Sequence, residues 1–179
     1  MRKTIGMVAV VMVMALAVAG CGKKAESSEK SKSVSVSSES MDGKNVVNPI
    51  QEVQSAGDLA DIGGHMEAPK GAENVKYSII DSTIAQVSFT LDGTEFAYRG
   101  GAPMDNMAGI YSEMMDGEEI LEASSGDKKA EVTIGSIMDG GFVAGWKYDK
   151  YEYSLAVTTG MDGDAFEKVV QELADSSLS

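Results

Sequence analysis

Within residues 45–179 four Asp-Gly pairs, each preceded by Met or Leu, recur at Leu91-Asp92-Gly93, Met115-Asp116-Gly117, Met138-Asp139-Gly140 and Met161-Asp162-Gly163, at spacings of 24, 23 and 23 residues. An Asp-Gly pair between apolar runs is a strong hairpin signal, because a type I′ turn needs positive φ at both central positions. A second set of turn residues, Ser124-Ser125-Gly126-Asp127 and Tyr148-Asp149-Lys150, falls midway between them. The rhythm predicts an antiparallel meander, with the Asp-Gly turns along one rim and the second set along the other. A solenoid is the alternative, but the intervening segments share no core pattern, which argues against it.

Period-two alternation places strands between these turns. Val75, Tyr77 and Ile79 share a face, as do Val87, Phe89 and Leu91, then Phe96 and Tyr98, then Val132 and Ile134. Phe142, Ala144, Trp146 and Tyr148 alternate with smaller or polar residues, and so do Tyr151, Tyr153, Leu155 and Val157, which predicts one hairpin. Helices are expected at the ends. Asp164 and Glu167 form a capping-box pattern ahead of Phe166, Val169, Val170 and Leu173, so an amphipathic helix is expected over 164–175, packed on one face of the sheet. Ser55 and Asp58 start a short helix over 56–62, closed by Gly63-Gly64, and Asn48-Pro49 offers an earlier start. The expected class is α+β, in a single domain over 45–179.

The N-terminus has a different character. Arg2 and Lys3 precede an uncharged apolar run from Ile5 to Val18, about 14 residues long. A spanning helix needs about 20, so 1–20 fits a secretion signal better than a permanent anchor. Val18-Ala19-Gly20-Cys21 resembles a lipobox, the bacterial lipoprotein signal in which diacylglycerol is joined to the cysteine sulfur and cleavage makes that cysteine the new N-terminus. The alternative is an ordinary signal peptide with an incidental cysteine. Lipidation of Cys21, with palmitate-like acyl chains, implies a stable tether, since each buried methylene adds about 0.8 kcal/mol. Residues 21–44 are Ser, Lys and Glu with little to bury, a composition expected of a disordered stalk whose flexible span is roughly 25 to 30 Å. The expected location is the extracytoplasmic face of the cell membrane, with lipid as the only membrane contact.

Residues 45–179 hold eight basic residues against 24 acidic ones. Phosphate contacts need a basic face, so no nucleic-acid partner is expected, and anionic lipid repels such a domain. The charge suits either selection of a basic partner or solubility in an exposed compartment. Cys21 is the only cysteine, so no disulfide is available within the chain.

The reactive groups are few. His65 is the only histidine, which rules out multi-histidine metal sites and leaves Ser-His-Asp catalysis dependent on one residue in a Gly-rich loop. Gly140 to Gly145 has neither the lysine of a phosphate loop nor the glycine spacing of a dinucleotide site. Met161-Asp162-Gly163-Asp164 lacks the alternating acids and closing Glu of a calcium loop and is expected to be a turn and helix cap. No metal and no cofactor are expected beyond the diacylglycerol on Cys21. Carboxylates are plentiful but crowd into turns, where Asp satisfies backbone groups. Candidate ligand-binding residues are Arg99, the only arginine after the signal, and the hairpin aromatics Trp146, Tyr148, Tyr151 and Tyr153. Arg99 brings a planar five-donor fork suited to a carboxylate or phosphate, with an internal ion pair as the alternative. The aromatics offer stacking faces for peptide or sugar, with core packing as the alternative. Met104, Met107, Met114 and Met115 offer an adaptable surface or simple filler.

The domain resembles a family of uncharacterised lipoproteins of Gram-positive anaerobes, through Asn48-Pro49-Ile50, Pro69, Gly71-Ala72-Glu73-Asn74-Val75, Ile84 to Thr90, Tyr98-Arg99, Trp146 and Tyr153-Ser154-Leu155. That resemblance implies an α+β fold in the cell envelope and supplies no activity. More distantly, it resembles half-barrel domains that hold lipid or peptide in a concave sheet. The expected function is a lipid-anchored, extracytoplasmic, non-enzymatic binding or interaction domain for a protein, peptide or small ligand. A structural or regulatory envelope component acting through a protein partner comes second, and a carboxylate-dependent hydrolase third.

Overall fold

The computed structural model describes residues 49–179, apart from 113 and 139. The expected signal, Cys21 and the stalk lie outside the described residues. The class is α+β: eight antiparallel strands, two helices and a 3₁₀ turn. The strands are β1 (Ile50–Val53), β2 (Glu73–Ile80), β3 (Ile84–Leu91), β4 (Thr94–Gly101), β5 (Met114–Ser125), β6 (Lys128–Ile137), β7 (Phe142–Tyr148) and β8 (Tyr151–Val157). The 3₁₀ turn Ala56–Leu59 leads into α1 (Ala60–Gly63), and α2 is Gly163–Ser177. Among the described residues no helix is long and apolar enough to cross a membrane.

The sheet order is β1-β2-β3-β4-β8-β7-β6-β5, two meanders joined where β4 pairs with β8. A single meander is therefore not what forms. The turn chemistry explains most of the local pairing: Asp92 (φ 50°) and Gly93 (φ 80°) close the β3–β4 hairpin, and Asp149 (φ 54°) turns β7 into β8. Asp116-Gly117 departs from expectation. It lies inside β5 at a register shift between Met114 and Glu118, where Gly117 takes φ 106°, so the pair makes a bulge and not a turn. Of the earlier helix start read at Asn48-Pro49, Asn48 lies outside the described residues and Pro49 leads instead into β1, which pairs with β2 from Ile50↔Ile80 to Val53↔Tyr77.

The helix ends follow their caps. Asp58 accepts from the backbone N–H of Ser55 at 2.9 Å and of Gln54 at 3.2 Å, fixing the start of the short turn. For α2 the cap is Asp162, which accepts from Ala165 N at 3.1 Å, two residues before the expected Asp164. Phe166, Val169, Val170, Leu173, Ala174 and Ser177 form its buried stripe.

One sheet face is apolar and helix-covered. Val87, Phe89, Phe96, Tyr98, Leu155, Tyr153, Trp146 and Val132 are all buried on it. Phe166 of α2 stacks on Phe142 with centroids 5.3 Å apart, and Trp146 Nε1 donates to Ser177 Oγ at 2.9 Å. Close to this face, a Cβ at Gly100 would stand 2.7 Å from Met66 Sδ and 2.9 Å from Tyr153 Cδ1, so only glycine admits that contact.

The opposite face carries Gln86, Ser88, Ala97, Arg99, Ser154, Ala156, Gly145 and Thr133, which are small or polar. Topology decides what crosses it. β5 lies four strand spacings from β4, about 19 Å, and residues 102–112 run over this outer face on the way. Met107 packs 3.6 Å from where a Gly101 Cβ would stand, and Met104 N donates to Glu152 Oε2 at 3.1 Å.

Candidate functional site

Cross-strand register lines up Gln86, Arg99, Ser154, Gly145 and Thr133 in one row of the outer face. Arg99 projects there because β4 alternates: Phe96 and Tyr98 point into the core, Ala97 and Arg99 away from it. Two described partners hold the guanidinium. Nε donates to Gln86 Oε1 at 2.8 Å and Nη1 to the Ala108 carbonyl at 2.9 Å. Gln86 Nε2 in turn donates to Ser88 Oγ at 3.1 Å, so β3 braces the fork through two linked side chains. The crossing segment is shaped to fit over it. Gly109 takes φ 66°, its N–H donates to the Asn106 carbonyl at 2.9 Å, and a Cβ there would collide with the guanidinium.

Arginine has five N–H donors, so three remain unused by the described residues. Burial lowers the Arg99 pKa from its ordinary value, yet a guanidinium stays charged at any physiological pH. Among the described residues it makes no ion pair with a carboxylate; the two ion pairs there are Lys129–Glu122, at 2.6 Å, and the longer Lys147–Glu152, at 3.9 Å. The internal ion pair considered from sequence is not formed among these residues.

Arg99 opens onto a cavity of about 420 Å³ between β2, β3, β4, the end of β8 and residues 108–110. Ala97 and Ala156 give it a flat floor, Asn74, Ser88, Thr90 and Thr158 provide polar walls, and Lys76 and Glu95 stand at its margins. The volume falls within the range of small-molecule sites. A second cavity, about 490 Å³, lies on the other side of the crossing segment and includes Asn106, Glu118, Glu152 and Ser154. Ala108 lines both. The Ser154 hydroxyl is buried and has no hydrogen-bond partner among the described residues.

The aromatic candidates do not join this site. Trp146, 3% exposed, and Tyr153 are buried on the opposite face of the sheet, stacked on each other at 5.5 Å and against Tyr98 at 5.7 and 6.1 Å. They form core and not a binding platform, because their strand phase turns them under the helices. Tyr148 and Tyr151 are half-buried at the end of the same hairpin, with Lys128 Nζ 5.8 Å from one ring centroid and Lys150 Nζ 5.1 Å from the other. Tyr151 also donates to the Ala60 carbonyl at 3.3 Å, which ties it to α1. Of the methionines, Met107 is buried under the crossing while Met104, Met114 and Met115 are exposed.

Sequence reasoning found Arg99 but missed its surroundings. Gln86, Ser88 and Thr90 carried a readable signal, a polar phase opposite Val87 and Phe89, whereas Glu95 and Ala108 carried none. His65 is exposed on the loop after α1. Among the described residues no three His, Cys, Asp or Glu side chains converge as metal ligands would. No family model, curated protein or solved structure matches this chain.

Proposed function

We propose that this chain is a lipid-anchored, extracytoplasmic, non-enzymatic binding domain that takes an anionic group of its ligand on Arg99. The observation that carries this proposal is a braced guanidinium with three unused donors facing a cavity, in a domain rich in acids that nonetheless leaves it without a carboxylate among the described residues. Charge-assisted and bidentate bonds from arginine are the stronger kind of hydrogen bond, and Gln86 and Ala108 fix this fork before a ligand arrives. Nuclear magnetic resonance of the Arg99 Nε–H, with acetate and inorganic phosphate as probes, tests it. Saturable shifts of that resonance are expected in the wild type, and the backbone N–H signals of residues 108–110, which line the same cavity, should move with it, more weakly in Arg99→Lys and not at all in Arg99→Gln. An unmoved Arg99 signal up to high concentrations of both probes would sink the proposal.

The anchor is motivated by Cys21 behind its apolar run and small residues. Cys21→Ser should shift the protein from the detergent phase to the aqueous phase, or leave it unprocessed, because the acylated sulfur is gone. Identical partitioning of the two forms would remove the lipoprotein assignment.

A second proposal, association with a protein partner, is favoured by the apolar groups along the free edge at β5. Ile120 is 62% exposed, Met115 54% and Met114 50%. Large exposed apolar side chains gathered along one edge mark association surfaces.

A further inference from the structure

We infer that the Arg99 cavity is a slot for a short zwitterionic peptide lying along β4, its carboxylate on Arg99 and its ammonium on Glu95. The inference rests on the proposal that Arg99 receives an anion and adds what the other end of the ligand must be. On the outer face β4 presents Glu95, Ala97 and Arg99 in turn, all three lining the same cavity. Four residues of strand separate the two charges, about 13 Å. The stretch between them is smooth: Ala97 is flanked in register by Ser88 on β3 and Ala156 on β8.

A slot with a cation at one end, an anion at the other and a small-residue floor selects by charge separation. An extended tripeptide measures about 10 Å from ammonium to carboxylate, and the reach of the two side chains makes up the difference. Neither Glu95 nor Arg99 forms an ion pair among the described residues, so each retains its charge for an incoming group. Ser88 and Thr90 on one side and Thr158 on the other place hydroxyls beside the slot, where peptide N–H and C=O groups need partners. Lys76 shares a row with Ser88 and Ala97, two strands from the midpoint of the slot. Its charge disfavours a ligand with a basic central side chain. An inorganic phosphate or a simple carboxylate satisfies Arg99 but leaves Glu95 unmatched, which is the chemical difference between the slot and a bare anion site.

The full-length protein titrated calorimetrically with tri-alanine, tri-alanine amide, N-acetyl-tri-alanine and inorganic phosphate tests this. Tri-alanine is expected to bind saturably. Amidation should weaken it about tenfold or more by removing the charge that Arg99 meets, and N-acetylation about fivefold to tenfold by removing the charge that Glu95 meets. In Glu95→Gln, tri-alanine and its N-acetyl form should bind alike, with an unchanged melting temperature because Glu95 is exposed. Equal binding of the two to the wild type, or phosphate binding without tri-alanine binding, overturns the zwitterion inference while leaving the anion proposal standing. Failure of every probe here, together with an Arg99 resonance that acetate and phosphate do not move, overturns both.

Discussion

The two faces of this sheet are built from the same strands in opposite phase and do opposite things. On the helix-covered face Tyr98 stacks against Trp146 and Tyr153, Phe89 against Phe96 at 5.1 Å, and Phe142 against Phe166. On the other face the same residues' neighbours are Ala97, Arg99, Ser154 and Gly145, which are small or polar and, among the described residues, are crossed by 102–112. Apolar area stabilises the first face, and hydrogen bonding organises the second. A side chain's consequence is therefore set by its parity in the strand more than by its chemical type. Arg99 and Tyr98 are adjacent in sequence, yet one faces a cavity and the other a sealed core.

The largest expected effect follows from the sealed side. Trp146→Ala should cost roughly 3 to 5 kcal/mol, because it removes the ring stacked on both Tyr98 and Tyr153 and leaves Ser177 Oγ without its indole donor. Urea denaturation of the variant measures this directly. A melting temperature within a degree of wild type would mean that the faces are not distinguished in the way described, since the same substitution on an exposed platform leaves stability nearly unmoved.

The helix-covered face was largely legible in the sequence, the outer one was not. Phe142 to Val157 alternates cleanly, and the Phe166-Val169-Val170-Leu173 spacing marks a helix, so these elements announce themselves locally. β5 does not. Its Met114-Met115 start, its central acids and the bulge at Gly117 break the alternation, because an edge strand has a face and a flank exposed and is held to no apolar pattern. The sheet order depends on β4 finding β8, with Ala97↔Ala156 and Gly101↔Glu152, a pairing between distant segments that no turn signal encodes. For the same reason Arg99 was visible as a residue while its brace was not: Gln86 and the Ala108 carbonyl reach it from a neighbouring strand and from the crossing segment. For the aromatics of 146–153, composition left a stacking platform open beside the core packing that alternation favours. Their phase, Trp146↔Tyr153 and Tyr148↔Tyr151, puts all four on the core side.

Raising pH probes the same contrast with a smaller effect. Burial, reinforced by Tyr153, holds the Tyr98 hydroxyl well above the ordinary phenol range. Burial first, then Tyr151, Asp149 and Tyr148, pushes Tyr153 up to about 12. In the unfolded chain these phenols ionise near pH 10. Both pKa values are raised on folding, so the unfolded state releases protons first. Stability is then full below about pH 10 and declines toward pH 12 as the unfolded chain ionises. Tyr98→Phe should shrink that alkaline decline. It should also stabilise the protein by about 1 kcal/mol at neutral pH, since the Tyr98 hydroxyl is buried without a partner among the described residues. Melts of both proteins at neutral pH and at pH 11, followed by the fluorescence of Trp146, check both expectations. A Phe variant less stable than wild type would show that the hydroxyl is satisfied.

The smallest effect is expected at the matching position on the other face. Ser154 Oγ, like Tyr98 OH, is buried and unpartnered among the described residues, and Ser154 is only 4% exposed. The two hydroxyls differ in what lies beyond them. Tyr98 ends among packed rings, where an unpaired donor has no recourse. Ser154 stands in the outer-face row between Arg99 and Gly145, on the floor of the 490 Å³ cavity. Water is expected to enter a cavity of that size and to supply the missing bond in the folded state. The hydroxyl is then bonded to water in both the folded and the unfolded state, and Ser154→Ala should change stability by no more than about 0.5 kcal/mol. Paired urea titrations of Ser154→Ala and Tyr98→Phe sharpen the comparison, because both delete one buried oxygen from adjacent strands. Equal gains from the two would show that the outer face at Ser154 is as dry as the core.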